Sequence, residues 1–390
     1  MRIVQLANFY TPASGGLRTC VDEIGRGYLA AGHDRVLVVP GTTDADEQTS
    51  AGRRITVRGP RFGSAGYHVL PARRTRSLLE RLRPDVLECS DKLSVRWLAP
   101  WARRTGVPLV LFSHERIDAI LRSRVPPGFP LATAADLANR RLSARAHQII
   151  VTSGFARDEF TRIGARNVHR IPLGVDLETF RPLEPRPVSL RLVPDSGLPG
   201  TFCAGEPSEP ARKVGLVLVS RLSREKRPGR AIEALRLLRD GGIDAELTVI
   251  GDGPLRDRLR EQASGLPVTF LGHVCDRRTV ARMVAAADLA LCPSPAETFG
   301  LAVLEALACG TPVVVPRAGA ARELLGPPGS GIECDGSPAG LATGVRTLLT
   351  IPEHRRRTAA RRTAERFPWS TTVTTLLDLY ADYAPAAQSA

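Results

Sequence analysis

Short runs rich in Val, Ile and Leu alternate along this chain with amphipathic stretches, the rhythm of a parallel α/β protein. In the first half, strands are expected at 3–7, 35–39, 55–57, 85–88, 109–112, 148–152 and 168–171. Helices are expected between them at 17–31, 73–82, 95–105 and 155–163. The second half repeats the alternation, with strands at 215–220, 245–250, 268–271, 289–293, 312–315 and 331–334 and helices at 229–240, 254–262, 279–286, 301–308 and 339–349. A last amphipathic stretch at 371–383 predicts a closing helix, and the small polar residues past Ala384 predict a frayed end.

The two halves meet where the pattern fails. Pro182, Pro185, Pro187, Pro194, Pro199, Pro207 and Pro210 crowd a stretch with little apolar periodicity, which reads as a linker or surface loop. A chain of 390 residues is long enough for two units. The division expected is 1–180, a linker over 181–212, a second unit over 213–367 and a closing segment over 368–390. Two doubly wound sheets joined in this way leave a cleft at the carboxyl ends of their strands, where ligands bind in open α/β sheets.

Charge adds a constraint. Fifty-four Lys and Arg against forty Asp and Glu leave +14. That surplus suits nucleic acid, anionic lipid or phosphorylated ligands, and it equally suits a genome that uses Arg freely. Aromatic residues are only 5% and do not interleave with the basic ones, which disfavours nucleic acid. Seven dispersed cysteines without a C-x-x-C pair argue for a reducing compartment and against a disulfide framework or zinc site. Met1-Arg2 leads directly into an apolar run short enough to be a strand, and no run approaches a membrane span of about 20 residues. A cytoplasmic protein, peripheral at most to a membrane, is expected.

Four sites carry candidate chemistry. Glu297 and Glu305 bracket Thr298-Phe299-Gly300-Leu301-Ala302-Val303-Leu304, with Glu305 inside a helix that opens near Gly300. A helix start with a small residue presents free N–H groups and a positive dipole end to a diphosphate. Alone, two glutamates also fit a solvated helix face, the lesser reading. Arg221, at a strand end, and Lys226, in the loop before the next helix, are two cations suited to a departing diphosphate, or on so basic a chain part of an ordinary basic loop. Arg224 and Arg227 read as solvated. Gly15-Gly16 opens the first helix and lets amides approach a phosphate, or simply makes a tight turn. The junction Gly251-Asp252-Gly253-Pro254 reads first as a structural turn. His114 follows the strand 109–112 at the expected cleft; a lone histidine is usually structural or on the surface, and its position makes this one the candidate to hydrogen-bond a ligand hydroxyl.

Some patterns are missing. No P-loop, G-x-S-x-G, H-E-x-x-H or G-x-G-x-x-G occurs. Asp44-Ala45-Asp46 matches a metal-binding D-x-D only formally; it lies in the polar loop 41–52 and reads as a solvated turn. The basic stretch 73–83 mixes Leu with Arg at helical spacing and is a candidate for anionic lipid, while 354–366 reads as a solvated face.

Taken in order, Gly15-Gly16, His114, Pro172-Leu173-Gly174-Val175-Asp176, Arg221-Leu222-Ser223-Arg224-Glu225-Lys226, Gly251–Pro254 and Glu297–Glu305 resemble the retaining glycosyltransferases of family 4 over nearly the whole chain. The resemblance implies a GT-B fold, an acceptor-side domain followed by a nucleotide-sugar donor domain, and a closing helix that packs back on the first. It implies His114, Arg221, Lys226 and Glu297 as catalytic. It implies donor contacts from Gly15, Gly16, Arg221, Lys226, Gly251, Val274, Glu297, Phe299, Gly300, Leu301, Ala302 and Glu305. Val274 would face the base, Glu305 the ribose and Glu297 the sugar. The segments Asn8-Phe9-Tyr10, Ser14-Gly15-Gly16-Leu17-Arg18-Thr19 and Ser113-His114-Glu115-Arg116 are similar to actinobacterial phosphatidylinositol mannoside mannosyltransferases. That likeness implies GDP-mannose as donor, a glycolipid acceptor at the inner membrane face, and acceptor contacts from Tyr10 and Arg18. No tightly bound cofactor and no dedicated metal site are expected; a divalent ion would act only as a stimulant. The Pro-rich insert departs from the family pattern.

Two neighbouring readings differ in their products. A nucleotide-sugar epimerase on the same fold would release free nucleotide sugar, and a transferase acting on a soluble acceptor would work without membranes.

Overall fold

The computed structural model describes residues 1–11, 15–62, 67–116, 118–119, 130–183 and 213–383. Most of the Pro-rich insert, with Cys203, lies outside them, as do Ser14 and the tail from 384.

Two parallel sheets form two lobes. The first is built from β1 (Arg2–Leu6), β2 (Asp34–Gly41), β3 (Ala45–Thr49), β4 (Gly52–Arg58), β7 (Val86–Cys89), β8 (Leu109–Phe112), β9 (Gln148–Val151) and β10 (Val168–Arg170), with a small separate hairpin of β5 (Arg61–Phe62) and β6 (Tyr67–His68). Its order is β10-β9-β8-β7-β1-β2-β4-β3, parallel except where β3 runs back along β4. The helices of this lobe are α1 (Gly15–Ala30), α2 (Ala72–Leu82), α3 (Val95–Thr105), α4 (Leu131–Ser143) and α5 (Gly154–Thr161). All four residues of β7 and of β8 are buried, as strands covered on both faces must be.

The second sheet holds β11 (Val214–Val219), β12 (Ala245–Ile250), β13 (Val268–Gly272), β14 (Leu289–Leu291), β15 (Val313–Pro316) and β16 (Gly331–Cys334). Its order is β13-β12-β11-β14-β15-β16, wholly parallel, so the winding reverses between β11 and β14. A crevice opens at such a reversal. Helices α6 (Gly229–Asp240), α7 (Arg256–Gln262), α8 (Arg277–Ala286), α9 (Leu301–Ala308), α10 (Pro338–Leu349) and α11 (Glu353–Ala364) flank this sheet.

The chain then returns. Val175 pairs in parallel with Pro368, its N–H reaching the Phe367 carbonyl at 2.9 Å. Helix α12 (Trp369–Ala381) follows and lies on α1, where Gly27 leaves room for Val373. The Tyr380 and Tyr28 hydroxyls both donate to Oε1 of buried Glu88, at 2.9 and 2.5 Å, and the Gln5 side-chain amide donates to Oε2 at 2.7 Å.

Three expectations change. The polar loop 41–52 contains strand β3, and its aspartates are paired: Asp46 takes both arms of Arg53 at 2.9 and 2.6 Å, and Asp44 takes Arg74 at 2.8 Å. In α2 the leucines Leu78, Leu79 and Leu82 belong to the core of the first lobe, which leaves Arg73, Arg74, Ser77, Glu80 and Arg81 to solvent. In α11 three arginines turn inward. Arg356 meets Asp288 at 3.4 Å, Arg357 caps the carbonyls of Ala285 and Ala287, and Arg361 caps those of Leu177, Phe180 and Ala308.

Candidate functional site

On the second lobe the crevice is set by glycines. A Cβ on Gly251 would lie 1.9 Å from the Ser220 carbonyl, and one on Gly253 would lie 2.5 Å from that of Leu222. Only glycines let this turn press against the end of β11, and the N–H of Gly251 is spent on Gly272. The turn therefore fixes the path of Arg221–Lys226. Glu225 accepts from Ser223 at 2.7 Å and from the Arg221 guanidinium at 2.8 Å, orienting an arginine that stays 53% exposed.

Lys226 reaches across to Glu297, with Nζ 2.6 Å from Oε1. Ser220, Lys226, Ser294, Glu297, Gly300 and Ala302 line one pocket. Gly300 stands at φ +96°, a left-handed turn that opens α9 and aims its first-turn amides at that pocket. Gly319 and Ala320, which no sequence signal marked, back the Glu297 loop: the Ala320 N–H donates to the Glu297 carbonyl at 2.8 Å, and Gly319 fits where a Cβ would crowd Pro295.

The first lobe supplies the facing wall. His114 follows β8, stacks on Phe112 with ring centres 5.2 Å apart, and is pushed by burial down to about 4. Its ring is thus neutral near pH 7, with one nitrogen donating and one accepting. The lobes are tied beside it: the Thr298 hydroxyl donates to the His114 carbonyl at 2.6 Å, and the Thr152 and Ser153 hydroxyls donate to the Thr298 carbonyl at 3.0 and 2.5 Å. Glu323 accepts from the N–H groups of Gly154 and Phe155 at the start of α5, both at 2.8 Å.

Glu305 lies one helix turn deeper. Burial pushes its carboxyl up to about 7, against the opposing charge of Arg277. Arg277 donates to Glu305 at 3.1 Å and to Thr19 of α1 at 2.7 Å, and stacks over Phe180 at 4.9 Å. This arginine was not anticipated. It ties Thr19, one turn into α1, to Glu305 of the second lobe. Tyr10 and Arg18 converge on Asp22, the tyrosine hydroxyl at 2.9 Å and the guanidinium at 3.7 Å. The Phe299 side chain is 5% exposed and belongs to the core, Leu301 and Val274 pack against that core, and Gly251 has its N–H committed. From these four residues the cleft is offered little beyond remaining backbone groups and the outer face of Val274. Among the described residues no group of three or more His, Cys, Asp or Glu is placed to hold a metal ion, and no helix is long and apolar enough to cross a membrane.

Two family models match: Glycosyltransferase Family 4 over residues 14–179 and Glycosyl transferases group 1 over residues 206–364. The GDP-mannose-dependent alpha-(1-6)-phosphatidylinositol dimannoside mannosyltransferase of Mycobacterium tuberculosis is 44% identical over 97% of this chain and 95% of its own. A GDP-mannose-dependent alpha-mannosyltransferase of Corynebacterium glutamicum is 27% identical over 83% of this chain and 74% of its own. Among solved structures, the sucrose-phosphate synthase of Thermosynechococcus elongatus superposes with a TM-score of 0.77 at 21% identity, covering 98% of both chains. The Anabaena HepE protein in complex with UDP and glucose superposes at 0.72 and 21% identity, covering 98% of this chain and 99% of that one. The fold is GT-B, with two Rossmann-like domains.

Proposed function

This chain belongs to glycosyltransferase family 4, and on that premise we propose that it moves an α-mannosyl group from GDP-mannose to a phosphatidylinositol mannoside with retention of configuration. The observation that carries the reading is the pocket in which Lys226, Glu297 and the amino end of α9 converge beside Arg221.

In this reading Arg221, Lys226 and the α9 amides take the charge that grows on the departing diphosphate, the main catalytic contribution when the acceptor attacks directly. Amides at Gly15 and Gly16 assist from the first lobe. Glu297 accepts from hydroxyls of the transferred sugar, Glu305 from the ribose, and backbone at Val274 meets the base. Neutral His114 orients the sugar by hydrogen bonding. The acceptor hydroxyl attacks from the face the diphosphate leaves, through an oxocarbenium-like state, and its proton passes to the leaving oxygen. Tyr10 and Arg18, held on Asp22, contact the acceptor.

A glycolipid acceptor places the enzyme at an anionic membrane surface. The exposed arginines of α2, Arg73, Arg74 and Arg81, are the contact we favour there. Calorimetric titration with GDP, UDP and ADP tests the donor: tightest binding of GDP is expected, and a preference for UDP would overturn the mannosyl reading. Sedimentation with anionic vesicles tests the surface, and no binding at low salt would count against it.

A further inference from the structure

We propose that Thr298 is a positioning residue that ties the His114 loop of one lobe to the Glu297 loop of the other, so that both groups meet the transferred sugar in one register. The inference rests on the donor-site reading above and adds a residue to it.

Thr298 is the covalent neighbour of Glu297, and its side chain touches His114 itself. The Thr298 hydroxyl has a single proton and gives it to the His114 carbonyl at 2.6 Å. The carbonyl of Thr298 points the same way and accepts from Thr152 and Ser153. Ser153 also accepts from the Ala156 N–H at 3.0 Å as the cap of α5, so its hydroxyl serves two elements and its proton is committed to Thr298. Among the described residues, the bonds of its hydroxyl and of its carbonyl therefore run to the first lobe.

Its neighbours are anchored elsewhere. The Glu297 carbonyl is held in the second lobe by the Ala320 N–H, and the Phe299 ring is buried in a core that draws residues from both lobes. A peptide segment is thus gripped from behind by one lobe and from the front by the other. Glu323 also joins the lobes, but it meets the start of α5 and no residue beside the sugar. Thr298 alone among the described ties connects directly to proposed sugar-binding groups on both sides.

A hydrogen bond between a hydroxyl and a carbonyl adds only modestly to folding. Its effect on rate is larger, because displacing a reacting group by about 1 Å can cost about a hundredfold. A loosened register also admits water as a competing acceptor.

The test compares Thr298→Val, which keeps shape and loses the donor, with Thr298→Ser, which keeps the donor. In Thr298→Val we expect kcat for transfer from GDP-mannose to phosphatidylinositol dimannoside in detergent micelles to fall at least tenfold. We expect the ratio of transfer to GDP-mannose hydrolysis to fall at least fivefold, while GDP affinity stays within twofold. Thr298→Ser should recover kcat to within about threefold. Unchanged kcat and unchanged partition in Thr298→Val, with GDP binding intact, would overturn the inference alone. Failure of the wild-type chain to bind any nucleoside diphosphate would overturn the donor reading and the inference with it. Should Thr298→Val fold poorly, Thr152→Val removes one bond to the same carbonyl; a smaller loss in the same partition ratio supports the proposal, and no change opposes it.

Discussion

Nζ of Lys226 stands 2.6 Å from Oε1 of Glu297, an ion pair about three-quarters buried on each side. It joins a loop after β11 to a loop after β14, across the reversal of the sheet. The lysine is therefore aimed before any diphosphate arrives, and Glu297 is kept turned toward the pocket. Preorganisation of this kind lets a charge stabilise a transition state without reorienting during the reaction.

Arg221→Ala and Lys226→Ala should each fold normally and lose at least a hundredfold in turnover, about 2.7–4 kcal/mol of barrier by analogy with loss of an oxyanion donor. Lys226→Ala should also raise the KM for GDP-mannose more, because it frees Glu297 as well. Steady-state kinetics beside a thermal melt decide; near-normal turnover in either variant would sink the leaving-group assignment.

Glu305 should make stability depend on pH. Its carboxyl is raised from 4.5 to about 7 in the folded chain, so its stabilising contribution is complete below 4.5 and lost as pH rises through about 7. The loss is at most about 3 kcal/mol. Glu305→Gln should melt higher than wild type at about pH 8 and alike at about pH 4.5, while GDP affinity falls at least tenfold. A variant that melts lower at the higher pH would mean that Arg277 keeps this carboxylate charged.

His114 should be silent in the pH profile of turnover from about pH 5.5 upward, because burial has moved it from 6.5 to about 4. Its depressed value stabilises the fold above 6.5, and that contribution is lost as pH falls toward 4. His114→Ala should reduce turnover at least tenfold and leave less acid sensitivity in the melt. A kinetic limb near pH 6.5 that vanishes in this variant would contradict a neutral hydrogen-bonding role.

Tyr380→Phe should destabilise the protein by about 1–3 kcal/mol, since buried Glu88 loses one of its hydroxyl donors. Urea unfolding measures the change. GDP affinity is expected to hold, because Tyr380 bonds Glu88 and packs beside Tyr28, both on the first lobe.

The fold was legible because parallel strands are short, apolar and punctuated by helices; β8, β12, β16, α3, α6 and α9 begin and end where the residue pattern places them. Strand β3 was not legible, because Ala45–Thr49 is a polar edge strand without apolar alternation. Helix α4 hides for a similar reason: its buried positions include Asn139, and Leu137 points outward. At the site, Lys226 and Glu297 stand out through ordered motifs. Arg277, Thr298, Ser153 and Glu323 act through contacts between lobes 145 to 258 residues apart, and one sequence carries no record of such pairings. Arginine-rich α11 misleads in the other direction, since a guanidinium that caps buried carbonyls looks like a solvated charge in the sequence.

The return of α12 to the first lobe has a consequence for how the protein is made. The lobe that leaves the ribosome first lacks a piece of its own interior: Tyr380 and Val373, which fill the seat beside Tyr28 and Gly27, are translated only after the whole second lobe. Until then Glu88 is short of a partner and an apolar face of α1 is open to water. The first lobe must wait, partly folded, for the end of the chain. The second lobe, whose strands and helices are contiguous in sequence from Val214 to Ala364, can complete itself meanwhile.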